Sequence, residues 1–193
     1  MIPRGTTSRH HRLSHRIAAL VTAGVMAGVM ATAATAFGTA GIAHAAGSTT
    51  CVGNSAISYS PGLTFTPRPV QYAETDTFSS CASTDPSLTS GTSFSAVTFS
   101  SASCLGVPGV FEDPSYTIDW NDGRHSVVAL TFTDVIVAGT EQVTGTGTVI
   151  SGLFQGGNAT IVWLYPVLNP LQCASSQGVT SQSGPVVAQI TTL

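Results

Sequence analysis

Asn158-Ala159-Thr160-Ile161-Val162-Trp163-Leu164-Tyr165-Pro166 reads as a β-strand whose apolar residues fall on both parities: Ile161, Trp163 and Tyr165 on one, Val162 and Leu164 on the other. A strand facing one core is apolar on a single parity, whereas one covered from two sides is apolar on both. The stretch therefore favours a central strand of a two-sheet sandwich, although a closed barrel could also use it. On either side of it the apolar period stays close to two, and strand-favouring residues (Val, Thr, Ile and aromatics) recur between turn residues. Candidate strands lie near residues 55–60, 70–80, 91–101, 115–121, 124–137, 142–151, 158–166 and 184–192. They are punctuated by Pro61-Gly62, Asp85-Pro86, Pro108-Gly109, Asp122-Gly123, Gly156-Gly157 and Gly184-Pro185. No convincing amphipathic helix interrupts the series. The expected class is all-β, a single antiparallel, Ig-like or Greek-key β-sandwich of about eight strands.

The clearest local unit is the hairpin around Asn121-Asp122-Gly123. A two-residue turn would set Trp120 opposite His125, whereas a three-residue loop with Gly123 left-handed sets Trp120 opposite Arg124. The second register aligns Tyr116, Ile118 and Trp120 with Ser126, Val128, Leu130 and Phe132 on one face, a consistent core. It places Asp119 opposite His125 on the other face.

Residues 1–45 have the plan of a secretory signal peptide. Arg4, Arg9, Arg12 and Arg16 precede an uncharged, alanine-rich stretch from Ile17 to Phe37, and Ala43-His44-Ala45 supplies a small-x-small cleavage site. Cleavage is expected after Ala45, with Ala46 close behind, leaving a secreted domain over 46–193. Four of the six basic residues leave with the leader while all nine acids stay, so the formal charge moves from −3 to −7. The remaining chain has no lysine, no methionine, two arginines (Arg68 and Arg124) and one histidine (His125). A chain of that sign lacks the basic stripe that neutralises phosphates, and anionic membrane surfaces repel it, so neither nucleic acid nor, after leader removal, membrane is an expected partner.

All four cysteines, Cys51, Cys81, Cys104 and Cys173, follow the leader. In the oxidising extracellular setting it implies, two disulfides are expected. Their spacing contains no C-x-x-C knuckle and the lone histidine has no partner, which argues against zinc. The sequence does not choose among three pairings; Cys51 with Cys81 and Cys104 with Cys173 are favoured. Loops of those lengths would each stabilise the fold by about 3.5 to 4.5 kcal/mol on a chain-entropy estimate.

Catalytic and cofactor motifs fail one by one. Asp119 beside His125 resembles acid-base machinery, but Ser126 points to the opposite face and no G-x-S-x-G elbow occurs, so cross-strand pairing explains both residues. Asp119, Asn121 and Gly123 begin like a calcium loop, yet the glycine comes one position early and Leu130 stands where the bidentate glutamate belongs. Calcium on surface carboxylates such as Glu112, Asp113 and Asp122 has no ligand geometry to support it. Gly145-Thr146-Gly147 lacks the third glycine and helix of a phosphate loop; its alternation with Val143 and Val149 suggests glycines that let a ring or backbone come close. None of the nine acids stands out as a facing glycosidase pair. Trp120 and Trp163 fall on apolar parities and are assigned to the core, and Asn158-Ala159-Thr160 is read as a strand start rather than a glycosylation site. No catalytic residue, metal ligand or cofactor is assigned.

Two segments carry a resemblance. Thr117-Ile118-Asp119-Trp120-Asn121-Asp122-Gly123-Arg124-His125-Ser126, followed by Gly145-Thr146-Gly147-Thr148-Val149-Ile150-Ser151-Gly152-Leu153-Phe154-Gln155-Gly156, resembles small exported proteins of Streptomyces and related actinobacteria that carry no assigned activity. The resemblance implies a secreted β-sandwich and transfers no site residues. The expected function is that of a noncatalytic extracellular β domain that binds a cell-envelope polymer or a protein. The alternative is a secreted hydrolase or a protease inhibitor, for which Cys104 to Gly109 and Pro166 to Cys173 are the candidate loops.

Overall fold

The computed structural model describes residues 47–106 and 115–192. The expected leader and its cleavage site lie outside them. The eight strands are β1 (Ser48–Leu63), β2 (Arg68–Ser83), β3 (Gly91–Ala102), β4 (Ser115–Trp120), β5 (His125–Val137), β6 (Thr140–Gly152), β7 (Asn158–Pro166) and β8 (Val179–Thr191). Every strand read from the pattern is present, and β1 and β8 run well beyond the expected 55–60 and 184–192. One short helix, α1 (Pro170–Cys173), precedes β8; Asn169 caps it by accepting the Leu171 amide at 2.9 Å, with Pro170 in the first turn.

Each strand pairs antiparallel with its neighbours in sequence, and β1 pairs with β8 as well, so the sheet closes into an up-and-down barrel. This overturns the sandwich expectation, together with its Ig-like and Greek-key connections. The two-sided apolar character of β7 has a different cause. Ala159, Ile161, Trp163 and Tyr165 are buried inside the barrel. Val162 and Leu164 face outward, half-buried with no second sheet over them; Val162 is flanked by Thr144 of β6 and Val187 of β8. Much of the rest of the outer surface is threonine, serine and glutamine, for example Gln71, Thr75, Thr77, Thr131 and Thr146, all exposed. That is the inverse of a lipid-facing barrel wall.

The connections 64–67, 138–139 and 167–178, with the described part of the β3–β4 connection (103–106), lie at one end, here the upper end. The connections 84–90, 121–124 and 153–157 lie at the lower end with Gly47 and Thr192, whose backbones bond to each other at 2.7 Å. The lower half of the interior is apolar: Phe78, Ile118, Val128, Val149, Ile161, Val186 and Ile190 are almost fully buried. At the upper end the loops bond to one another, Phe65 N to Cys173 O (3.3 Å), Cys104 N to Thr64 O (2.8 Å) and Val167 N to Gly139 O (3.1 Å). The disulfides are Cys51–Cys81, across directly opposed positions of β1 and β2, and Cys104–Cys173, which ties the β3–β4 connection to α1. The seam between β3 and β4 is short, with two paired positions, Gly91–Trp120 and Thr92–Asp119.

The hairpin adopts the register expected of a three-residue loop. Asp119 pairs with His125, the Trp120 amide bonds to Arg124 O, and Gly123 has φ of +85°. The β6 glycines serve close approach: a Cβ on Gly145 would meet Leu130, Trp163 and Phe132 at 3.2 to 3.3 Å, and one on Gly147 would lie 1.7 Å from the Ala129 carbonyl oxygen. Backbone cannot retreat as a flexible side chain can, so Gly147→Val is expected to destabilise the fold by about 3 kcal/mol or more. Urea unfolding of Gly147→Val beside Thr146→Val, which changes an exposed outward position, measures the difference. Equal midpoints would refute the close packing of β5 on β6.

Candidate functional site

Strand β2 decides the chemistry of the interior. Its inward parity runs Val70, Tyr72, Glu74, Asp76 and Phe78, so two carboxylates stand on an otherwise apolar stripe. Asp76 is fully buried. Its Oδ2 accepts from the Tyr116 hydroxyl and, at 3.0 Å, from Trp163 Nε1, while Oδ1 is buried and accepts from no group. Glu74 accepts from Tyr72 (2.6 Å) on Oε2, and from Ser55 (2.9 Å) and Tyr165 (2.6 Å) on Oε1. The Tyr165 and Ser55 hydroxyls are themselves 2.7 Å apart. Nearer the upper rim, Tyr59 donates to Gln182 Oε1 at 3.0 Å and Gln182 donates to Pro166 O at 2.8 Å.

Burial dominates the electrostatics of these acids. It pushes the Asp76 carboxyl above the ordinary carboxylate range, against the nearby Ser55 hydroxyl and the bonds from Tyr116 and Trp163, which favour the ionised form. Glu74 is raised by burial first and by the neighbouring Asp76 charge second, again against its three hydroxyl donors. Glu141, paired with Tyr165 across β6 and β7, is raised by burial and then by Asp134. Tyr72, Tyr116 and Tyr165 are pushed far above the phenol range by burial and by these carboxylates, so they remain neutral donors. The arrangement can hold a proton on the carboxyl pair, donate and accept hydrogen bonds inside the barrel, and attract positive charge. Glu74 and Asp76 lie two positions apart on one strand face rather than across a cleft, which is not the geometry of a glycosidase pair.

The residues singled out in the sequence lie elsewhere. Asp119 and His125 face each other on the outer side of the lower end, both exposed. Ser126 points inward, accepting from Trp120 Nε1 at 2.9 Å and donating to Leu153 O at 2.7 Å, so no triad forms. Asn121 Oδ1 accepts the Thr89 and Ser90 amides, and Asp122 and Asp85 both pair with Arg124, which holds the Asp85 carboxyl down at about 2. These carboxylates brace the lower loops. Glu112, Asp113 and residues 107–109 lie outside the described residues. Trp120 and Trp163 are buried, as assigned. Leu171, the more exposed of the two large apolar residues Val167 and Leu171 in the 166–173 loop, sits in a helical turn rather than in an extended segment. Among the described residues no cluster of His, Cys, Asp or Glu is arranged to hold a metal ion.

No family model, curated protein or solved structure matches the chain. Sequence reasoning missed the interior acids although a signal was present: in Val70-Gln71-Tyr72-Ala73-Glu74-Thr75-Asp76-Thr77-Phe78 both carboxylates share the parity of Val70, Tyr72 and Phe78.

A raised native pKa means that the folded state keeps a proton the unfolded chain has released. The stabilisation these acids contribute is therefore fully present below the unfolded carboxyl values of about 4 and is lost as pH rises from there through the native pKa. Asp76→Asn removes this term and relieves Glu74 of its charged neighbour. Urea midpoints at pH 4, 5.5 and 7 are expected to drop more steeply for the wild type than for Asp76→Asn; parallel curves would contradict the upward shift that burial imposes on these carboxyls.

Proposed function

We propose that this chain is a secreted, noncatalytic binding protein whose ligand is received in the upper half of the barrel. The observation that carries the reading is the partial exposure of side chains that point inward. Glu74, Ser95, Val97, Phe132, Val143, Glu141 and Gln182 all lie on inward parities and all remain half-buried. Eight-stranded barrels are of the size that either fills with side chains or holds one small ligand. In this chain the lower half corresponds to the first case; toward the upper end Leu63, Val70, Phe99 and Val179 are buried as well, and the partly exposed inward positions on β3, β5 and β6 support the second.

Paired disulfides accord with an extracellular setting, and no helix among the described residues is long and apolar enough to cross a membrane. The noncatalytic character is supported by the separation of parts: His125 is at the lower end on the outside, whereas the carboxyl pair is inside and is met by hydroxyls and an indole N–H. An interior site of this size suits a small molecule or the end of a polymer chain, which narrows the polymer or protein expected from the sequence.

Expressed with its own leader in a secreting bacterium, the protein is expected in the medium with an intact mass that begins at Ala46 or Gly47 and has both disulfides formed. Full-length protein retained in the cells would overturn the secretion reading. His125→Ala is expected to leave ligand binding unchanged and to lower stability by less than about 1 kcal/mol, the scale of a cross-strand pair. Loss of binding in a folded His125→Ala protein would move the site to the lower end.

A further inference from the structure

We infer that the ligand of the upper lumen is an organic ammonium ion carrying an apolar group; the inference rests on the binding reading above and names its ligand class. Four carboxylates stand on inward parities toward this end: Asp134 and Glu141 near the rim, Glu74 deeper, and Asp76 innermost. None has an ion-pair partner among the described residues. Arg124 is committed to Asp85 and Asp122 at the lower end and His125 faces outward there; Arg68, the one cation at the upper end among the described residues, stands half-buried at the start of β2 and donates to the Gly62 carbonyl, with Nε unpartnered. A low-dielectric enclosure lined by one sign of charge concentrates the opposite sign.

An acidic lining alone would not define a site, and a second observation points to a ligand that donates hydrogen bonds. Asp76 is 1% exposed, stands on the inward parity of β2, and keeps Oδ1 without a donor. Buried acceptors of that kind are uncommon, because each forgoes the hydrogen bond it had in water. The walls supply what an ammonium ion with an apolar body uses besides carboxylates. Tyr59, Tyr72 and Phe99 follow one another at ring-centroid distances of 5.9 and 5.8 Å, and Phe132, Trp163 and Tyr116 at 6.0 and 5.7 Å. Ring faces attract a cation and ring edges pack against hydrocarbon.

The upper rim is apolar as well. Phe65, Leu105, Val167 and Leu171 are exposed on three of its connections, and Ile136 and Val137 at the end of β5. At the lower end the connections carry Asp85, Ser87, Asn121, Asp122 and Arg124 instead. An apolar collar around an acidic lumen matches a ligand with a charged head and a hydrocarbon body. A carboxylate ligand meets repulsion from the same lining, and a neutral alcohol gains neither the charge nor the cation–π term.

The test titrates octylammonium and phenethylammonium, with octanol and octanoate as congeners, into the disulfide-bonded secreted protein. Binding is followed by calorimetry and by the fluorescence of Trp163, whose indole bonds to Asp76. The ammonium ions are expected to bind at least about tenfold more tightly than either congener. Glu141→Gln and Glu74→Gln are each expected to weaken them by about tenfold or more, the loss of one charge-assisted bond. Asp85→Asn, at the far end, is expected to leave the affinity unchanged. Glu141→Gln lies near the rim outside the Glu74 hydroxyl network, so it keeps the test decisive if Glu74→Gln misfolds. Octanol or octanoate binding as well as octylammonium, or unchanged ammonium affinity in folded Glu141→Gln, would overturn the ligand class and leave the binding barrel standing. Failure of all four compounds to bind would overturn the ligand class and count against the binding barrel too.

Discussion

The ladder between β1 and β8 turns an eight-strand sheet into a tube, and the remaining chemistry of the molecule follows from that closure. Once the first and last strands pair from Ser48–Thr191 to Ser58–Ser181, one parity of every strand is enclosed, whatever residue it carries. Closure also gives both edges a partner, which leaves β1 and β8 no free rows of amides and carbonyls along the closing ladder. The cost falls on β2, where Glu74 and Asp76 are carried inside with Val70, Tyr72 and Phe78.

The hydroxyl-bearing side chains around those acids compensate part of that cost. Tyr72, Tyr165 and Ser55 serve Glu74, and Tyr116 and the Trp163 indole serve Asp76, so most of the hydrogen bonds lost from water are replaced. The replacement is made by neutral donors, and no positive charge enters. Burial consequently outweighs the hydrogen bonds, and both carboxyls titrate high. A purely structural network could have used Ser, Thr or Asn at the same positions without the penalty of desolvating charge.

Much of the fold was legible in the residues. Period-two alternation and Gly, Pro and Asp turn residues located all eight strands, and the core parity of Tyr116, Ile118 and Trp120 fixed the hairpin register. The choice between sandwich and barrel was not legible, because strands facing either kind of core alternate in the same way. In β7 the outward Val162 and Leu164 imitated a second buried face. The site was hidden for a related reason. Asp76 meets partners 40 and 87 positions away, Tyr116 and Trp163, and Glu74 meets Tyr165 91 positions away. Alternation within one strand reveals that Glu74 and Asp76 point inward, but only the closed ladder reveals which hydroxyls they meet.

The short bridge between Gly47 and Thr192 has a consequence for how the domain is displayed. Both chain ends of the barrel emerge side by side at the lower, polar end, opposite the connections that carry Cys104 and Cys173. A tether, tag or neighbouring domain joined at either end would project away from the upper rim. The same adjacency lets a short peptide join the two ends and new termini be cut at the Ala138-Gly139 turn, giving a permuted barrel that keeps every strand pairing while moving its attachment point to the upper rim.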